Sequence, residues 1–302
     1  MKKFVFSNDQ LIITGVPAPL FGSVHIDGAK NAALPQLFAS MLTSERVTLH
    51  NLPVQMADVK NAIALLRFHG KKIDINGTTA VIEEPNGIIT ETDFELASRI
   101  RYSLLLMGAL LVRKGKFVIG NPGGCDIGER RFDLHIKGLR QLGAEIEMTD
   151  SQIIGRAPKR LSGCEIELYL PTTSGTQNIS FGAVLAQGKT LIMNANTRPE
   201  MLDTCTMLNK MGARVRASNR IVEIEGVREL GGAEHTIMSG WDEAVTYILA
   251  AGVAGGEIKL EGTNLKENMK YELKLINEIG IEVFEWGGDL YVLANGQKRC
   301  FD

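Results

Sequence analysis

The residues best suited to chemistry lie in one short run, Asn121–Arg131, which reads Asn-Pro-Gly-Gly-Cys-Asp-Ile-Gly-Glu-Arg-Arg. Three glycines and a proline disfavour regular structure and let the backbone approach a ligand closely. The run carries one thiol, Cys125, and two guanidinium groups, Arg130 and Arg131. Nearby positive charge lowers the pKa of a thiol, and guanidinium groups bind carboxylate and phosphate oxygens. The pattern predicts a catalytic loop over an anionic substrate, and the alternative is a surface turn that covers its cysteine.

The composition is that of an ordinary soluble globular protein, with 44% hydrophobic and 23% charged residues among 302. This length favours two domains. A net charge of −2, with no basic stripe, argues against nucleic acid as a partner. Four dispersed cysteines without a Cys-x-x-Cys pair predict neither a disulfide framework nor a metal site. Their dispersal favours a reducing cytoplasm.

Neither a secretion signal nor a membrane span is expected. The first residues, Met1-Lys2-Lys3-Phe4, lack the long apolar run and small-residue cleavage site of a signal peptide. The most apolar segment, Leu104–Val112, is bounded by Arg101 and Arg113 and is too short to cross a bilayer. We interpret it as a buried helix.

The chain repeats one pattern about every 70 residues. Four amphipathic helices end in a glycine that leads into an alternating strand, and these glycines are Gly70, Gly143, Gly212 and Gly280. Glycine at this position closes a helix in the left-handed conformation without steric penalty. Upstream of each lies a second, more apolar helix, predicted at Ala32–Leu42, Ser103–Val112, Ile179–Ala186 and Glu243–Val253.

The four upstream helices are apolar nearly all round, which predicts burial from every side. Units that share one core would satisfy this requirement. A solenoid, in which each unit contacts only its neighbours, would leave one side of each helix in water. The pattern therefore favours a closed α/β arrangement. Asp58 is expected to cap the amino terminus of the first amphipathic helix.

Several motifs, taken together, resemble those of the enolpyruvyltransferase superfamily, in particular its members that act on UDP-N-acetylglucosamine. The motifs are Gly28-Ala29-Lys30-Asn31-Ala32-Ala33-Leu34-Pro35, Pro122–Arg130, Asp133-Leu134-His135, Pro199-Glu200 and Gly232–Thr236. The resemblance implies an inside-out α/β barrel of repeated βαβαββ units. It further implies a complete three-unit domain at residues 28–237. Residues 1–27 and 238–302 would form part of a second domain, two of whose units are missing.

The resemblance also implies a reaction. Phosphoenolpyruvate would transfer its enolpyruvyl group to UDP-N-acetylglucosamine, and inorganic phosphate would leave, in the synthesis of a peptidoglycan precursor. No cofactor or metal is expected. The implied partners are the two small-molecule substrates, and a second copy of the chain or a partner chain is expected to complete the second domain.

Roles in the family extend to matching positions here. The resemblance implies catalytic roles for Cys125, Lys30 and Asp242, and substrate binding by Asn31, Arg101, Arg130, Asp133, His135, Thr172, Thr173, Ser174 and Glu200. Ordinary structural roles are the alternatives. Lys30 could be a solvated surface lysine, Arg101 could neutralise Asp93 or Glu95, and His135 could be a structural hydrogen-bonding residue.

The chain departs from the family pattern at several positions. Gly240 stands where the family has a general-base aspartate, and Asp242 lies two residues further on. Arg131 replaces a proline, and Arg198 replaces an acidic residue. Thr172-Thr173-Ser174 replaces Ser-Val-Gly at the stretch that meets a diphosphate. A non-catalytic relative that binds a nucleotide sugar or regulates a full-length enzyme, or an incomplete chain, therefore remains an alternative hypothesis.

Overall fold

A computed structural model describes residues 18–123, 131–262 and 264–294, together with the strands Phe4–Ser7 and Gln10–Ile13. The chain forms two compact units. The larger unit is Gly28–Met238, and the smaller unit joins Met1–Asp27 to Ser239–Asp302. Cys125 and Arg130 lie outside the described residues.

The smaller unit contributes the first three strands, which are β1 (Phe4–Ser7), β2 (Gln10–Ile13) and β3 (Leu20–His25). The larger unit then follows with three similar runs of elements. The first run is α1 (Lys30–Ala39) with a 3₁₀ turn (Ser40–Leu42), β4 (Val47–His50), α2 (Ala57–Phe68), β5 (Lys72–Asn76) and β6 (Thr79–Glu83). The second is α3 (Phe94–Ser98), a 3₁₀ turn (Arg101–Leu104), α4 (Leu105–Lys114), β7 (Lys116–Gly120), α5 (Asp133–Gln141), β8 (Glu145–Met148) and β9 (Gln152–Arg156).

The third run is β10 (Glu165–Glu167), α6 (Thr173–Val184), β11 (Lys189–Met193), α7 (Pro199–Lys210), β12 (Arg214–Ser218) and β13 (Ile221–Glu225). A last strand, β14 (Ala233–Thr236), closes the larger unit. The smaller unit resumes with α8 (Trp241–Ala254), β15 (Gly256–Glu261), α9 (Leu265–Asn268), α10 (Lys270–Glu278), β16 (Glu282–Trp286) and β17 (Asp289–Leu293).

The three sheets of the larger unit share one strand order. They are β14-β4-β6-β5, β7-β9-β8 and β10-β11-β13-β12. In the first of these sheets β14 and β4 pair in parallel, and in the third β10 and β11 do so. In the second sheet Glu91 makes the corresponding parallel bridge to Val118 in β7. The other pairs are antiparallel. The helices α2, α4, α5, α6 and α7 thus connect strands or bridges of one sheet that point the same way, so these five helices run opposite to those strands.

Two strands pair with a sheet far from their own place in the chain. β3 precedes the larger unit but pairs in parallel with β15 of the smaller unit. β14 precedes α8 but pairs in parallel with β4, at the start of the larger unit. The Ala29 N–H also donates to the Met238 carbonyl over 2.8 Å, so the two ends of the larger unit are hydrogen-bonded to each other.

The core of the larger unit is formed by α1, α4 and α6, which pack against one another. All eight residues from Ala32 to Ala39 are buried, as are Leu105–Leu111 and Gly175–Val184. For these three helices the prediction of burial on every side is confirmed. Among the described helices, none is long and apolar enough to cross a membrane.

For α8 the prediction of burial on every side is wrong. Ile248 is fully buried, whereas Leu249 is 42% exposed and Val253 is 79% exposed. The reason is that α8 packs on one side only. Among the described residues of the smaller unit, α8 packs against the sheet of β3 and β15–β17 and against α9, and no apolar helix covers its opposite side.

The four glycines that follow the amphipathic helices adopt the predicted left-handed conformation. Their φ angles are 101° at Gly70, 101° at Gly143, 96° at Gly212 and 89° at Gly280. Each therefore ends its helix and turns the chain into a strand, as the repeat predicts.

Gly108 sets the distance between α4 and α6. A Cβ atom at this position would lie 2.4 Å from the Asn178 carbonyl oxygen and 2.8 Å from Asn178 Oδ1. The Gly108 N–H donates to that same Oδ1 over 2.9 Å. The two helices can approach this closely only because position 108 has no side chain.

We expect Gly108→Ala to destabilise the larger unit by about 1–3 kcal/mol, because the added methyl group overpacks the contact. In an exposed helix the same change would usually stabilise by about 0.5–1 kcal/mol, so the sign of the effect is diagnostic. Urea unfolding monitored by circular dichroism measures it. Thr206→Ala on the exposed face of α7 is the control, and equal stability of the two variants would contradict this view of the contact.

Candidate functional site

Six helices of the larger unit begin around one cavity of about 650 Å³. The described residues that line it come from the amino-terminal ends of these helices or from the segments just before them. They are Lys30, Asn31, Asp58, Arg99, Ile100, Arg101, Tyr102, Arg131, Thr172, Thr173, Ser174, Arg198 and Glu200. For five of the six helices the strand directions explain this convergence, because each starts where a parallel strand or bridge of its sheet ends.

Lys30 is the first residue of α1 and enters the cavity beside α2. Its Nζ lies 3.1 Å from Asp58 Oδ2, and both side chains are about two-fifths exposed. The chain can reach this position because Gly28 passes directly over the Asn51 carbonyl, which a Cβ atom would approach to 1.8 Å. The expected capping role of Asp58 is wrong, since α2 begins at Ala57 after Met56 and Asp58 lies within its first turn.

Arg101 begins the 3₁₀ turn that leads into α4, and its guanidinium donates to the Arg131 carbonyl over 2.9 Å. The two acidic residues proposed as its alternative partners have other roles. Asp93 accepts a hydrogen bond from the Leu96 N–H and caps α3, while Glu95 pairs with Arg99. The hydrogen bond from Arg101 to the Arg131 carbonyl links the turn before α4 to the segment before α5 at the edge of the cavity.

Thr172, Thr173 and Ser174 form the start of α6. Thr172 is the N-cap, and its Oγ1 accepts the Gly175 N–H over 3.3 Å. The helix therefore begins at Thr173, before the predicted start at Ile179, because the threonine cap extends it through a polar run. The three residues present hydroxyl groups and first-turn backbone N–H groups to the cavity, an arrangement suited to anions.

Glu200 is the second residue of α7 and is only 4% exposed. Arg198, the N-cap of the same helix, lies with Nε 4.0 Å from Glu200 Oε2. A carboxylate in the first turn of a helix is stabilised by the positive end of the helix dipole. Glu200 thus offers a buried acceptor in a cavity that otherwise presents mainly donors.

His135 lies behind the cavity rather than in its lining. It is 2% exposed, and its Nε2 and Nδ1 lie 3.1 Å from Ser174 Oγ and from Asn178 Nδ2 respectively. Burial, reinforced by the positive charge of Arg101, lowers its pKa to about 3, although the Asp133 carboxylate opposes this. Of the two roles left open by the sequence, the hydrogen-bonding one fits these contacts, and a direct ligand contact does not.

Asp133, the first residue of α5, lines a neighbouring cavity of about 690 Å³ instead. Its Oδ2 accepts a hydrogen bond from the Tyr169 hydroxyl over 2.8 Å, which raises the pKa of Tyr169. Arg131 lines both cavities, so the two adjoin at this side chain.

Three predicted residues cannot be placed in the cavity. Cys125 and Arg130 lie outside the described residues, although the flanking Gly123 lies so close to Ser98 that a Cβ atom would be 1.3 Å from its carbonyl oxygen. Asp242 belongs to the smaller unit, where its Oδ1 accepts the Glu243 N–H over 3.1 Å.

The sequence did not predict cavity roles for Asp58, Arg99, Tyr102 and Arg198, whereas Arg131 was expected to meet an anion as part of the Asn121–Arg131 run. A usable signal was present for Arg198, which directly precedes the Pro-Glu start of α7. A charged residue just before a helix start is a positional signal that residue type alone does not give.

The described lining contains five cationic side chains and two carboxylates. Each helix amino terminus adds the equivalent of about half a positive charge. The cavity therefore favours an anion with several oxygens that can accept hydrogen bonds. Within the described ranges, no group of three His, Cys, Asp or Glu side chains is arranged to hold a metal ion.

The fold and the site define an α/β protein with a cavity at its helix starts whose lining favours an anion. Comparison with known proteins agrees with this type of fold. Residues 15–300 match the model of the EPSP synthase (3-phosphoshikimate 1-carboxyvinyltransferase) family. The chain belongs to the EPSP synthase family, that is, to the enolpyruvyltransferases.

Individual relatives share substantial sequence identity. The chain is 39% identical over 298 residues to UDP-N-acetylglucosamine 1-carboxyvinyltransferase 1 of Symbiobacterium thermophilum, covering 97% of this chain and 66% of that protein. It is 40% identical over 301 residues to UDP-N-acetylglucosamine 1-carboxyvinyltransferase of Gluconacetobacter diazotrophicus, covering 97% and 70%. The chain spans about two thirds of the length of the curated relatives it matches.

A solved structure supports the fold independently. The enolpyruvyl transferase NikO from Streptomyces tendae superimposes with a TM-score of 0.80 at 20% identity, over 91% of this chain and 66% of that one. Identity this low supports the mixed α/β fold alone.

The buried histidine leads to a test of acid stability. His135 stays neutral in the folded protein well below its ordinary pKa of 6.5, whereas the unfolded chain binds a proton there. Stability therefore falls as the pH drops below about 6.5, by about 2 kcal/mol at pH 5. Chemical denaturation at several pH values measures this slope. His135→Gln should flatten it, and an unchanged slope would show that His135 is not the group responsible.

Proposed function

We propose that this protein transfers the enolpyruvyl group of phosphoenolpyruvate to UDP-N-acetylglucosamine and releases inorganic phosphate. The observation that carries the proposal is the cavity where six helix starts and five cationic side chains meet. Both proposed substrates are anions whose oxygens match those donors. The proposal also draws on the relatives named for this reaction, and it places the protein in the reducing cytoplasm that its dispersed cysteines favour.

The reaction requires proton movements at the sugar hydroxyl, at C3 of phosphoenolpyruvate and at the departing phosphate. The sugar hydroxyl loses its proton to a base as its oxygen bonds to C2, and C3 gains a proton, which gives a tetrahedral intermediate. The bond between C2 and the phosphate oxygen then breaks, C3 loses a proton as the C2–C3 double bond forms again, and the departing phosphate takes up the proton that the sugar hydroxyl lost. Fixed positive charge lowers the energy of these steps, because it is already oriented toward the phosphate and carboxylate groups.

We assign the phosphoenolpyruvate end of the cavity to Lys30 and Arg101, and the sugar to Asn31 beside Lys30. The diphosphate would meet the start of α6 at Thr172–Ser174, where backbone N–H groups and hydroxyl groups converge. The nucleoside would extend past Arg131 toward Asp133 in the adjoining cavity. Cys125 and Arg130 would act from the segment between Gly123 and Arg131.

We also propose the domain arrangement of the family for this chain. Residues 28–237 would form a complete three-unit domain of the inside-out barrel, and residues 1–27 with 238–302 would belong to the second domain. A second copy of the chain or a partner chain would supply contacts to that second domain.

A non-catalytic binding protein is the second candidate, and one observation favours it. Gly240, the N-cap of α8, carries no carboxylate, and the nearby Asp242 carboxylate already accepts the Glu243 N–H. If neither residue removes a proton from the sugar, the cavity would bind a nucleotide sugar without turnover.

Phosphate release in the presence of phosphoenolpyruvate decides between these candidates. We expect release with UDP-N-acetylglucosamine and none with shikimate 3-phosphate. Lys30→Ala should lower kcat/KM by at least about 100-fold, because it removes a charged donor from the reacting group. Lys116→Ala, an exposed lysine on β7 outside the cavity, is the matched control. Tight UDP-N-acetylglucosamine binding without phosphate release would favour the binding protein, and release with shikimate 3-phosphate would change the acceptor.

The thiols provide a separate test. Burial raises the pKa of Cys205 to about 12 and also raises the pKa of Cys164, so neither forms a thiolate readily. We expect iodoacetamide at neutral pH to modify Cys125 before Cys164 and Cys205, with loss of phosphate release, as mapped by peptide mass spectrometry in a Cys300→Ser background. Cys125→Ala should slow turnover by about 100-fold or more, whereas Cys164→Ser should not. Full activity of the alanine variant would remove Cys125 from the reaction.

A further inference from the structure

Ser174 stands at the end of a buried chain of hydrogen bonds that begins inside the core. The Gly108 N–H donates to Asn178 Oδ1 over 2.9 Å. Asn178 Nδ2 lies 3.1 Å from His135 Nδ1, and His135 Nε2 lies 3.1 Å from Ser174 Oγ. Asn178 is completely buried and His135 nearly so, while Ser174 is half-buried and lines the cavity.

The direction of each bond in this chain follows from the chemistry of its members. A backbone N–H can only donate, so the atom of Asn178 that faces Gly108 must be its carbonyl oxygen. The NH₂ group of Asn178 then faces His135, and it too can only donate. His135 Nδ1 is therefore the acceptor, which places the ring proton on Nε2. The Nε2–H in turn donates to Ser174 Oγ.

The last step concerns the proton of the Ser174 hydroxyl. Because Ser174 Oγ accepts from His135, its own O–H must point elsewhere. Among the described residues, no protein group accepts this proton, in contrast to Thr176 and Ser180 of the same helix, which donate to the Thr172 and Thr176 carbonyls. The cavity that Ser174 lines carries mainly positive charge, so a bound anion is the acceptor best suited to this position.

We propose that Ser174 donates its hydroxyl proton to an oxygen of the bound anion, and that His135 and Asn178 are positioning residues that fix this direction. The choice of a nucleotide diphosphate as that anion rests on the proposed function. The direction of the hydrogen bonds does not, because it follows from the buried donors alone. Acceptance from a neutral imidazole also polarises the hydroxyl and makes it a stronger donor.

Replacement of Asn178 is expected to reverse the donors and acceptors of these hydrogen bonds while the Ser174 hydroxyl is kept. In Asn178→Asp the carboxylate accepts both the Gly108 N–H and a proton on His135 Nδ1. His135 Nε2 then becomes an acceptor for the Ser174 O–H, which turns away from the ligand. Asn178→Asp should therefore weaken binding about as much as Ser174→Ala, although it retains the hydroxyl.

Calorimetric titration with UDP-N-acetylglucosamine and with inorganic pyrophosphate tests the proposal in the full chain. We expect Ser174→Ala and Asn178→Asp each to bind about 10-fold to 100-fold more weakly, the range for a hydrogen bond to a charged group. The double variant should lose no more than either single one. Ser174→Thr, which keeps a hydroxyl, should retain binding, and Ser218→Ala on β12 outside the cavity is the control.

NMR of ¹⁵N-labelled histidine supplies a readout that does not depend on ligand or turnover. The resonance that disappears in His135→Gln should show the Nε2–H tautomer in the wild-type protein and lose it in Asn178→Asp. An Nδ1–H tautomer in the wild type would overturn the proposal, even if Asn178→Asp fails to fold. Equal affinities of wild type and Ser174→Ala would overturn it as well. Ser174-dependent binding without phosphate release would overturn the proposed function alone, and absence of binding to either probe would overturn both.

Discussion

The common starting point of six helices is the constraint on which the larger unit depends. Five of the six main helices run antiparallel to the parallel strands of their own sheets, and α1 starts at the same cavity, so the partial positive charges of six helix starts meet there. Cationic side chains added there repel one another and the helix dipoles. The carboxylates of Asp58, Glu95 and Glu200 lie beside Lys30, Arg99 and Arg198 and offset part of this repulsion. A bound anion would offset more of it, so the arrangement of the helices and the charge of the ligand are linked.

Packing of the inner helices in the core offsets the cost of bringing these charges together at the helix starts. α1, α4 and α6 bury apolar faces against one another, and the close α4–α6 contact at Gly108 also carries a polar link. A buried polar group stabilises a fold only if its hydrogen bonds are satisfied, and Asn178 meets this condition through Gly108 and His135. The same link ends at Ser174, so the packing of the core and the orientation of a donor in the cavity are set by one set of contacts.

Much of the fold could be predicted from the sequence, since it depends on local chemistry. Glycines at helix ends predict the left-handed conformation, and their φ angles confirm it. All-apolar helices predict burial, which α1, α4 and α6 show. The short parallel strand β10 could not be predicted, because it spans three residues and gains its partner only by tertiary pairing. The start of α6 was placed too late for a related reason: a threonine cap turns a run of small polar residues into helix. The exposure of α8 depends on which elements pack beside it, which its own residues do not encode.

Some residues of the candidate site could likewise be predicted from local sequence, and others are placed only by the structure. Lys30, Asn31, Arg101 and the Thr172–Ser174 stretch could be named from motifs, and the structure brings them to one cavity. Arg131 and Arg198, by contrast, are departures from the family pattern, and only Arg131 was also expected at an anion from its place in the Asn121–Arg131 run. In the structure both face that cavity, and Ser174, a third departure, adds a hydroxyl to it. These three changes each add positive charge or a hydrogen-bond donor to the cavity of the larger unit, whereas the fourth departure, Gly240 at the start of α8, removes a carboxylate. The changes in the cavity therefore favour an anionic ligand, while Gly240 bears on proton removal and leaves the charge of the cavity unaffected.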